Sequence, residues 1–516
     1  MMQPQPPEPV RLSTLLQGEF IVPARLDRTL SGIQIDSRRV RPGDLFIACR
    51  GLHADGRNYI PGAIASGAAA VLVEADDVWS RVREEAKVPL VPVIDLPRKL
   101  CKVAARFHGE PAHKLRLIGI TGTNGKTTCC QLIAQALAAL GYRCGVIGTL
   151  GHGMLDATPD TDRDGPSTTP DALRLQQLLS DMLAAQGDTV VMEVSSHGLD
   201  QYRVDVNEFA AAVFTNLTRD HLDYHGSMAA YGETKRRLFT GSRLQVAVFN
   251  QDDPFSAEIT SKLPASVQAF GWSLHNSRAA IHARSLQFTA AGLEFELVTP
   301  WGSGLVHSSL LGSFNAANLL SVVATVLACE SGKPDFDPAR IILAVSALVP
   351  VRGRMQLLRG FPVSVVVDYA HSPDGLDSAL RALREHFRGM LCCVFGCGGD
   401  RDQGKRPEMA AIAGRYADTV IVTDDNPRNE ESGTIIGQIL AGFDVAQRNR
   451  VLVEADRAKA IAAAIAVAEP GSVVLVAGKG HEEYQEISGV KHPFSDVAQA
   501  LACLERRFGN ATGATV

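Results

Sequence analysis

The chain has 516 residues, of which 46% are apolar and 21% charged, and at about 100–200 residues per domain it predicts roughly three domains, each with material for its own core. A net charge of −5 argues against a nucleic-acid binder, no stretch approaches the roughly 18 uninterrupted apolar residues of a membrane span, and the opening "MMQPQPPEPV" lacks the pattern of a secretion signal. Ten cysteines without metal-ligand spacing, some adjacent (Cys129–Cys130, Cys392–Cys393), fit a reducing compartment better than a disulfide framework, so a soluble cytoplasmic protein without membrane insertion is expected.

Three segments separate by pattern. The first, 1–112, contains "RPGDLFIACRGLHADGRNYIPGAIASGAAAVLV", which reads as a Pro-Gly turn, a strand, a polar loop, a small-residue helix and another strand. The second, 113–349, opens with the apolar run "LRLIGI", a glycine-rich turn and a helix on which Cys129, Ile133 and Leu137 mark one buried face. Strands "TVVMEV" and "AAVFTNL" follow, each ending in polar residues. The third, 350–516, begins near "LVPVRGRM" and repeats the strand-then-helix rhythm through "VSVVVDYA", "MLCCVFGCGG", "TVIVTDD" and "SVVLVAGKG". This alternation predicts an α/β fold with mainly parallel sheets, whose ligands gather beyond the carboxyl ends of the strands.

One such end carries "TGTNGKTT", residues 121–128. The usual phosphate-loop pattern wants a glycine where Ile120 stands, yet a strand, this turn and a helix are the right context for one. Gly122 and Gly125, flanking Thr123 and Asn124, let backbone approach anionic oxygens at a helix N-terminus. Lys126 can reach the β- and γ-phosphates of ATP, and Thr127 or Thr128 can offer a hydroxyl to Mg2+; the plainer reading is a glycine-rich turn. Glu193 ends "TVVMEV" and is a second candidate for the metal, against the ordinary alternative of a solvated strand-end carboxylate. His221 in "TRDHLDYHG" is a third candidate or a plain loop histidine, and Lys235 in "YGETKRRLF" reads by composition as part of a basic helical surface.

Taken together, "TGTNGKTT", "MEVSSHGLDQYRV", "TNLTRDHLDYHG", "YGETKRRLF", "GSFNAANLL", "VRGRM", "DYAHSPDGL" and "GKGHEEYQ" resemble the Mur ligases over almost the whole chain, most of all members that add meso-diaminopimelate to UDP-N-acetylmuramoyl-L-alanyl-D-glutamate. The resemblance implies three domains: a UDP-binding domain, a P-loop ATPase domain and a Rossmann-like C-terminal domain. It implies a monomer that uses ATP to phosphorylate a substrate carboxylate, after which an amine attacks the acyl phosphate. Lys126, Glu193, His221 and Lys235 are then the catalytic set, with magnesium held by Thr127 or Thr128, Glu193, His221 and Lys235 as its CO2-derived carbamate.

By the same resemblance Asn315 and Asn318, otherwise helix caps, lie near the nucleotide, and Arg354, Asp368 and His371 meet it from the third segment, implying closure before chemistry. Ile35, Ser37 and His53 match the uridine end, and Thr168, Thr169, Ser195, Gln201 and Arg203 match contacts to the sugar-peptide. The stretch "LDATPDTDRDGPSTTPD" before those threonines is longer and more acidic than the resemblance leads one to expect.

The incoming amino acid is read from "TDDNPRNEES". Diaminopimelate ends in a zwitterion, which needs a cation and an anion from the protein. Arg428, stiffened by Pro427, can clamp a carboxylate, Asn426 adds neutral hydrogen bonds, Arg401 is a second cation and Glu482 an anion for the amine. Asp425 and Gly478 complete the matched positions. L-lysine would leave Arg428 without a carboxylate, and Asn-Pro-Arg as a simple turn is the ordinary alternative. Rival functions are the same ligase adding L-lysine, a folylpolyglutamate-synthase-like ligase, and an ATP-sensing binding protein without turnover.

Overall fold

The apolar runs form strands where the sequence places them. The computed structural model describes residues 9–51, 54–158 and 167–509, and contacts gather the chain into two compact units: Met1–Trp272 with Ser321–Phe336, and Ser273–Leu320 with Asp337–Val516. His53 and residues 159–166 of the acidic stretch lie outside the described residues.

Among its described residues the first unit holds a short two-stranded pairing, Val10–Arg11 with Thr29–Leu30, and two longer sheets. The smaller runs β1 (Gly32–Gln34), β2 (Asp44–Ala48), β3 (Ala70–Glu74), β4 (Arg83–Glu85) and β5 (Val88–Val93) in the order β1-β2-β3-β5-β4, parallel except for β4. Helix α1 (Leu96–Phe107) covers it with Leu96, Leu100, Val103, Ala104 and Phe107, a helical period of apolar residues, and Ala172 and Leu173 join the same core.

The larger sheet of this unit contains β6 (Arg116–Thr121), β7 (Cys144–Gly148), β8 (Gly151–Met154), β9 (Thr189–Glu193), β10 (Ala211–Phe214), β11 (Val246–Asn250) and β12 (Gln268–Ser273), in the order β8-β7-β9-β6-β10-β11-β12. Only β8 runs antiparallel to its neighbour. Leu117, Ile118 and Ile120 of β6 are fully buried, as a central parallel strand covered on both faces requires. Gly119 interrupts that run because a Cβ there would come within 2.7 Å of the Phe209 ring. Helix α2 (Lys126–Ala139) buries Cys129, Ile133 and Leu137 as their spacing predicts, but also Cys130, Leu132, Ala134 and Ala136, so it is enclosed on more than the one face expected. The register sets Glu193 opposite Ile120 and Phe214 opposite Thr121. The turn after β6, Glu193 and the loop after β10 therefore emerge at one edge.

The second unit opens with an antiparallel meander, β13 (Ile281–Thr289), β14 (Gly292–Thr299) and β15 (Gly302–Ser308), which the strand–helix rhythm did not predict. Helix α3 (Ser313–Glu330) begins in this unit and from Ser321 onward belongs to the first; it has the length and composition to cross a membrane, yet most of it is buried within the protein, as a core helix is. Next come β16 (Gln356–Leu358), β17 (Ser364–Asp368), β18 (Leu391–Phe395), β19 (Thr419–Val422), β20 (Val451–Val453) and β21 (Val473–Ala477), in the order β16-β17-β21-β18-β19-β20, parallel apart from β16. Leu376, Leu380 and Met409 pack with one face of this sheet, and Ile461, Ile465 and Leu504 with the other. Cys392, Cys393 and Cys397 are buried within these layers, and all ten cysteines are free thiols. His386 joins the meander to this layer: its Nε2 accepts from the Gly312 N–H at 2.8 Å and its Nδ1 donates to the Thr289 carbonyl at 2.6 Å.

Candidate active site

The loop from Gly122 to Gly125 is pinned from the side. Gly122 has φ +149° and its missing Cβ would lie 1.9 Å from Thr215 Oγ1, so only glycine fits. The Thr123 N–H donates to the Asn216 carbonyl at 2.8 Å, the Asn124 N–H to Asn216 Oδ1 at 3.0 Å, and Thr215 Oγ1 to the Asn124 carbonyl at 2.6 Å. Lys126 folds back, its Nζ donating to the carbonyls of Gly122 and Thr123, both at 2.9 Å.

Glu193 is 1% exposed, not the solvated strand-end carboxylate of the alternative reading. It accepts from Thr127 Oγ1 at 2.9 Å, the Thr149 N–H at 2.7 Å and Thr149 Oγ1 at 3.3 Å. Of the two candidate threonines, Thr127 is thus the one joined to the carboxylate, while Thr128 is also buried. Among the described residues no group of three or more His, Cys, Asp or Glu side chains forms a metal cage. What the site offers is a buried carboxylate against a hydroxyl, hard oxygen donors that suit a magnesium ion taking its remaining ligands from phosphates and water. His221 precedes the short helix Leu222–His225 with φ +53°, is about half exposed, and packs edge-on to His197 with ring centroids 4.8 Å apart.

Lys235 is buried, which overturns its reading as part of a basic surface. It lies on the helix Met228–Arg236, with Nζ donating to the Gly122 carbonyl at 2.8 Å and lying 4.4 Å from the Tyr231 ring centre. Burial first, then the charge of Lys126, holds its ammonium well below the ordinary lysine range, with Asp220 acting the other way. Tyr231 also meets Thr123, hydroxyl to hydroxyl at 3.3 Å.

Beside Glu193 the expected sugar-peptide contacts converge. Thr169 Oγ1 donates to the Glu193 carbonyl at 3.0 Å and receives the Ser195 N–H at 3.0 Å, and Thr168 Oγ1 is 3.2 Å from Thr149 Oγ1. Arg203 donates to the Thr169 carbonyl at 2.9 Å and to Gln201 Oε1 at 2.7 Å. Ile35 and Ser37 lie in the smaller sheet's loop, Ile35 exposed and Ser37 opening a 3-10 turn capped by Asp36.

In the second unit, Asn315 Nδ2 donates to the Leu311 carbonyl and Asn318 Nδ2 to Asn315 Oδ1, so both asparagines brace the start of α3. The Arg354 guanidinium lies 4.7 Å from the Tyr369 ring centre, and the Asp368 carboxylate accepts the Met355 N–H at 2.7 Å, with burial raising its pKa. His371 Nδ1 donates to the Tyr369 carbonyl at 2.8 Å. The loops carrying Arg401 and Arg428 are tied by Arg406, whose buried guanidinium pairs with Glu430 at 2.9 Å. Asn426 Nδ2 donates to Glu482 Oε2 at 3.0 Å. Arg428 has φ +52°, which Pro427 does not set; its N–H donates to the Glu486 carbonyl and its carbonyl accepts the Ser488 N–H, so strand pairing holds it instead. Its Nη1 donates to the Gly399 carbonyl at 2.8 Å and its Nε lies 3.3 Å from Glu486, which engages part of the guanidinium expected to clamp a ligand. Arg401 is exposed. The missing Cβ of Gly478, φ +118°, would sit 3.6 Å from the Asp425 carboxyl carbon.

Three family models match in chain order: "Mur ligase family, catalytic domain" over 29–108, "Mur ligase middle domain" over 120–326, and "Mur ligase, glutamate ligase domain" over 353–480. The chain belongs to the Mur ligase family. It is an ATP-dependent ligase that joins an acid to an amino acid. This Mur ligase is 49% identical over 473 residues to the UDP-N-acetylmuramoyl-L-alanyl-D-glutamate--2,6-diaminopimelate ligase of Ectopseudomonas mendocina, spanning 92% of this chain and 94% of that one. It is 50% identical over 482 residues to the protein of the same name from Pseudomonas aeruginosa, spanning 93% and 96%. A solved structure of that name aligns with TM-score 0.71 at 37% identity, covering 97% of this chain and 99% of the other. A Mycobacterium tuberculosis folylpolyglutamate synthase shares only the fold, at 21% identity and TM-score 0.61 over 74% of this chain and 92% of that one.

Sequence reasoning passed over several residues of this Mur ligase. Thr149 and Arg406 lie outside the family-marking motifs, while Tyr231 and Lys479 lie inside "YGETKRRLF" and "GKGHEEYQ" with no spacing that singles them out. Complete burial is the feature that singles out Lys479.

Proposed function

We propose that this Mur ligase adds meso-diaminopimelate to UDP-N-acetylmuramoyl-L-alanyl-D-glutamate, in the cytoplasm and as a monomer, as a step of peptidoglycan precursor synthesis. In this reading 1–112 binds the uridine end, 113–349 binds ATP and 350–516 binds the amino acid. The observation that carries the choice of amino acid is that Arg428, 3.3 Å from Glu486, and Asn426, hydrogen-bonded to Glu482, set a cation, a neutral donor and an anion on adjoining loops. The names of the relatives support it.

The chemistry follows from charge. A carboxylate is a poor electrophile, and bringing it to a triphosphate sets two anions together, so the site must supply cations. Lys126 exchanges its two loop carbonyls for phosphate oxygens and shields the γ-phosphoryl group as the carboxylate oxygen attacks phosphorus and ADP leaves. Arg203, oriented by Thr169 and Gln201, holds the sugar-peptide so that its carboxylate reaches that phosphorus. The amine of diaminopimelate then attacks the acyl carbon, loses a proton, and the tetrahedral intermediate expels phosphate. Glu193 and Thr127 with His221 would hold magnesium, which would supply further charge neutralisation. Lys235 is carbamylated: its ammonium, disfavoured by burial, gives up a proton, the neutral amine adds to CO2 and releases a second proton, and an anion for the metal site replaces a cation beside Lys126. Arg354, Asp368, His371, Asn315 and Asn318 serve the nucleotide.

The test is phosphate release from ATP with UDP-N-acetylmuramoyl-L-Ala-D-Glu, comparing meso-diaminopimelate with L-lysine, and mass analysis of the product. A tripeptide product with diaminopimelate alone is expected. Product with lysine instead leaves a ligase of the other specificity, and no product with either amine refutes the assignment.

A further inference from the structure

Lys479 is fully buried and no step above uses it. Its Nζ donates to Asn426 Oδ1 at 2.8 Å and to Glu482 Oε2 at 3.1 Å, and lies 3.5 Å from Asp425 Oδ1. Asn426 Oδ1 also accepts the Glu486 N–H at 2.9 Å. Two donors on the oxygen leave the Asn426 amide one orientation, with its NH2 toward Glu482. The flipped amide would set NH2 against an ammonium and an N–H while aiming its oxygen at a carboxylate.

An ammonium taken wholly out of water costs several kcal/mol unless it is well paired, and a structural filler would be met more cheaply by an apolar side chain. Every hydrogen-bond and ion-pair partner of this ammonium belongs to the two loops that form the proposed amino-acid pocket, with the Tyr484 ring centre 5.6 Å away. Its charge offsets Asp425 and Glu482 together, so that the pocket is not a plain cation trap.

We infer that Lys479 is a positioning residue that determines amino-acid specificity: by balancing Asp425 and Glu482 and locking Asn426 as a donor, it makes the pocket accept a carboxylate-bearing zwitterion over a lone ammonium. This rests on the diaminopimelate reading above. Without Lys479, Asp425 and Glu482 keep only the charge of buried Arg457, which is already paired with Asp496, and the Asn426 amide is free to turn its oxygen outward. Both changes repel the distal carboxylate of diaminopimelate and attract the side-chain ammonium of lysine.

The experiment compares kcat/KM for meso-diaminopimelate and for L-lysine in the full-length wild type and in Lys479→Met. The ratio of the two is independent of the fraction of enzyme folded, so loss of stability alone leaves it unchanged. The expected result is a fall of at least about tenfold in preference for diaminopimelate, since an unpaired polar group in a binding site discriminates by that much or more. If Lys479→Met does not fold, the nearly isosteric Asn426→Asp, which keeps the partner of Lys479 but removes the donor, is expected to shift the ratio in the same direction. An unchanged ratio in a discriminating enzyme overturns the role of Lys479. A wild type that does not discriminate overturns the diaminopimelate reading itself, and this inference with it.

Discussion

Lys126 and Lys235 both donate to the carbonyl oxygen of Gly122, at 2.9 and 2.8 Å, so two lysines separated by more than a hundred residues share one acceptor in the phosphate loop. Such crowding disfavours a second positive charge, and Lys235 is the one enclosed by protein.

Replacing Lys235 with alanine is expected to lower kcat by about 100-fold or more, the scale of losing one charge that supports a reacting group. In the wild type, 13C-labelled CO2 should give a carbamate resonance by NMR that the variant lacks. A wild type with full activity and no such resonance removes the carbamate from the mechanism.

Gly122→Ala should be worse than its size implies. The backbone there is left-handed, and the new methyl would press on Thr215 Oγ1, which itself holds the Asn124 carbonyl. A strained residue costs roughly 1–3 kcal/mol before any clash is added. Calorimetric titration with ATP should show affinity lowered at least about tenfold, since 1.4 kcal/mol is a factor of ten. Unaltered binding would show that the loop adjusts freely.

Arg428→Ala should raise KM for diaminopimelate by about tenfold or more, the loss of a charge-assisted hydrogen bond, while leaving L-lysine no worse a substrate. Arg428→Lys is expected to recover little, because a lysine cannot reproduce the planar fork or reach Gly399 and Glu486 together. Steady-state kinetics with both amines decides this.

Glu208 makes stability depend on pH. It is buried between Gln176, whose Nε2 donates to both carboxylate oxygens at 2.9 Å, and the neighbourhood of Cys101. Burial pushes its pKa up to about 8 from an ordinary 4.5; Asp205 and Glu110 add to this, and Gln176 and Arg243 oppose it. The folded form therefore holds a proton that the unfolded chain releases above pH 4.5. Stability from this group is complete below that pH and is lost as pH rises through 8, a change on the order of 5 kcal/mol. Glu208→Gln should flatten the dependence, with a higher thermal midpoint than the wild type at pH 8 and a similar one near pH 5. Parallel curves for the two proteins would contradict this.

The phosphate loop was legible because its chemistry is local: a strand, two glycines and a Lys-Thr at a helix start are consecutive residues, and their spacing states their use. The parallel strands were legible for a similar reason, as β6 and β17 are continuous apolar runs. The meander from Ile281 to Ser308 was not, because antiparallel pairing is set by partners along the chain rather than by the strand–helix rhythm. Composition alone could not separate a surface Lys235 or a solvated Glu193 from the buried side chains found here, because composition says nothing about what folds over a side chain.

From the sequence alone come the strand–helix order, the phosphate loop and the motifs that mark the family, since each is carried by neighbours in the chain. Tertiary structure decided which charges are buried and which amide faces which way. It brought Lys235 to Gly122, Thr127 to Glu193 and Lys479 to Asn426, pairs joined across long stretches of chain. Desolvation and hydrogen-bond commitment depend on the groups that fold around a side chain, and only packing determines those.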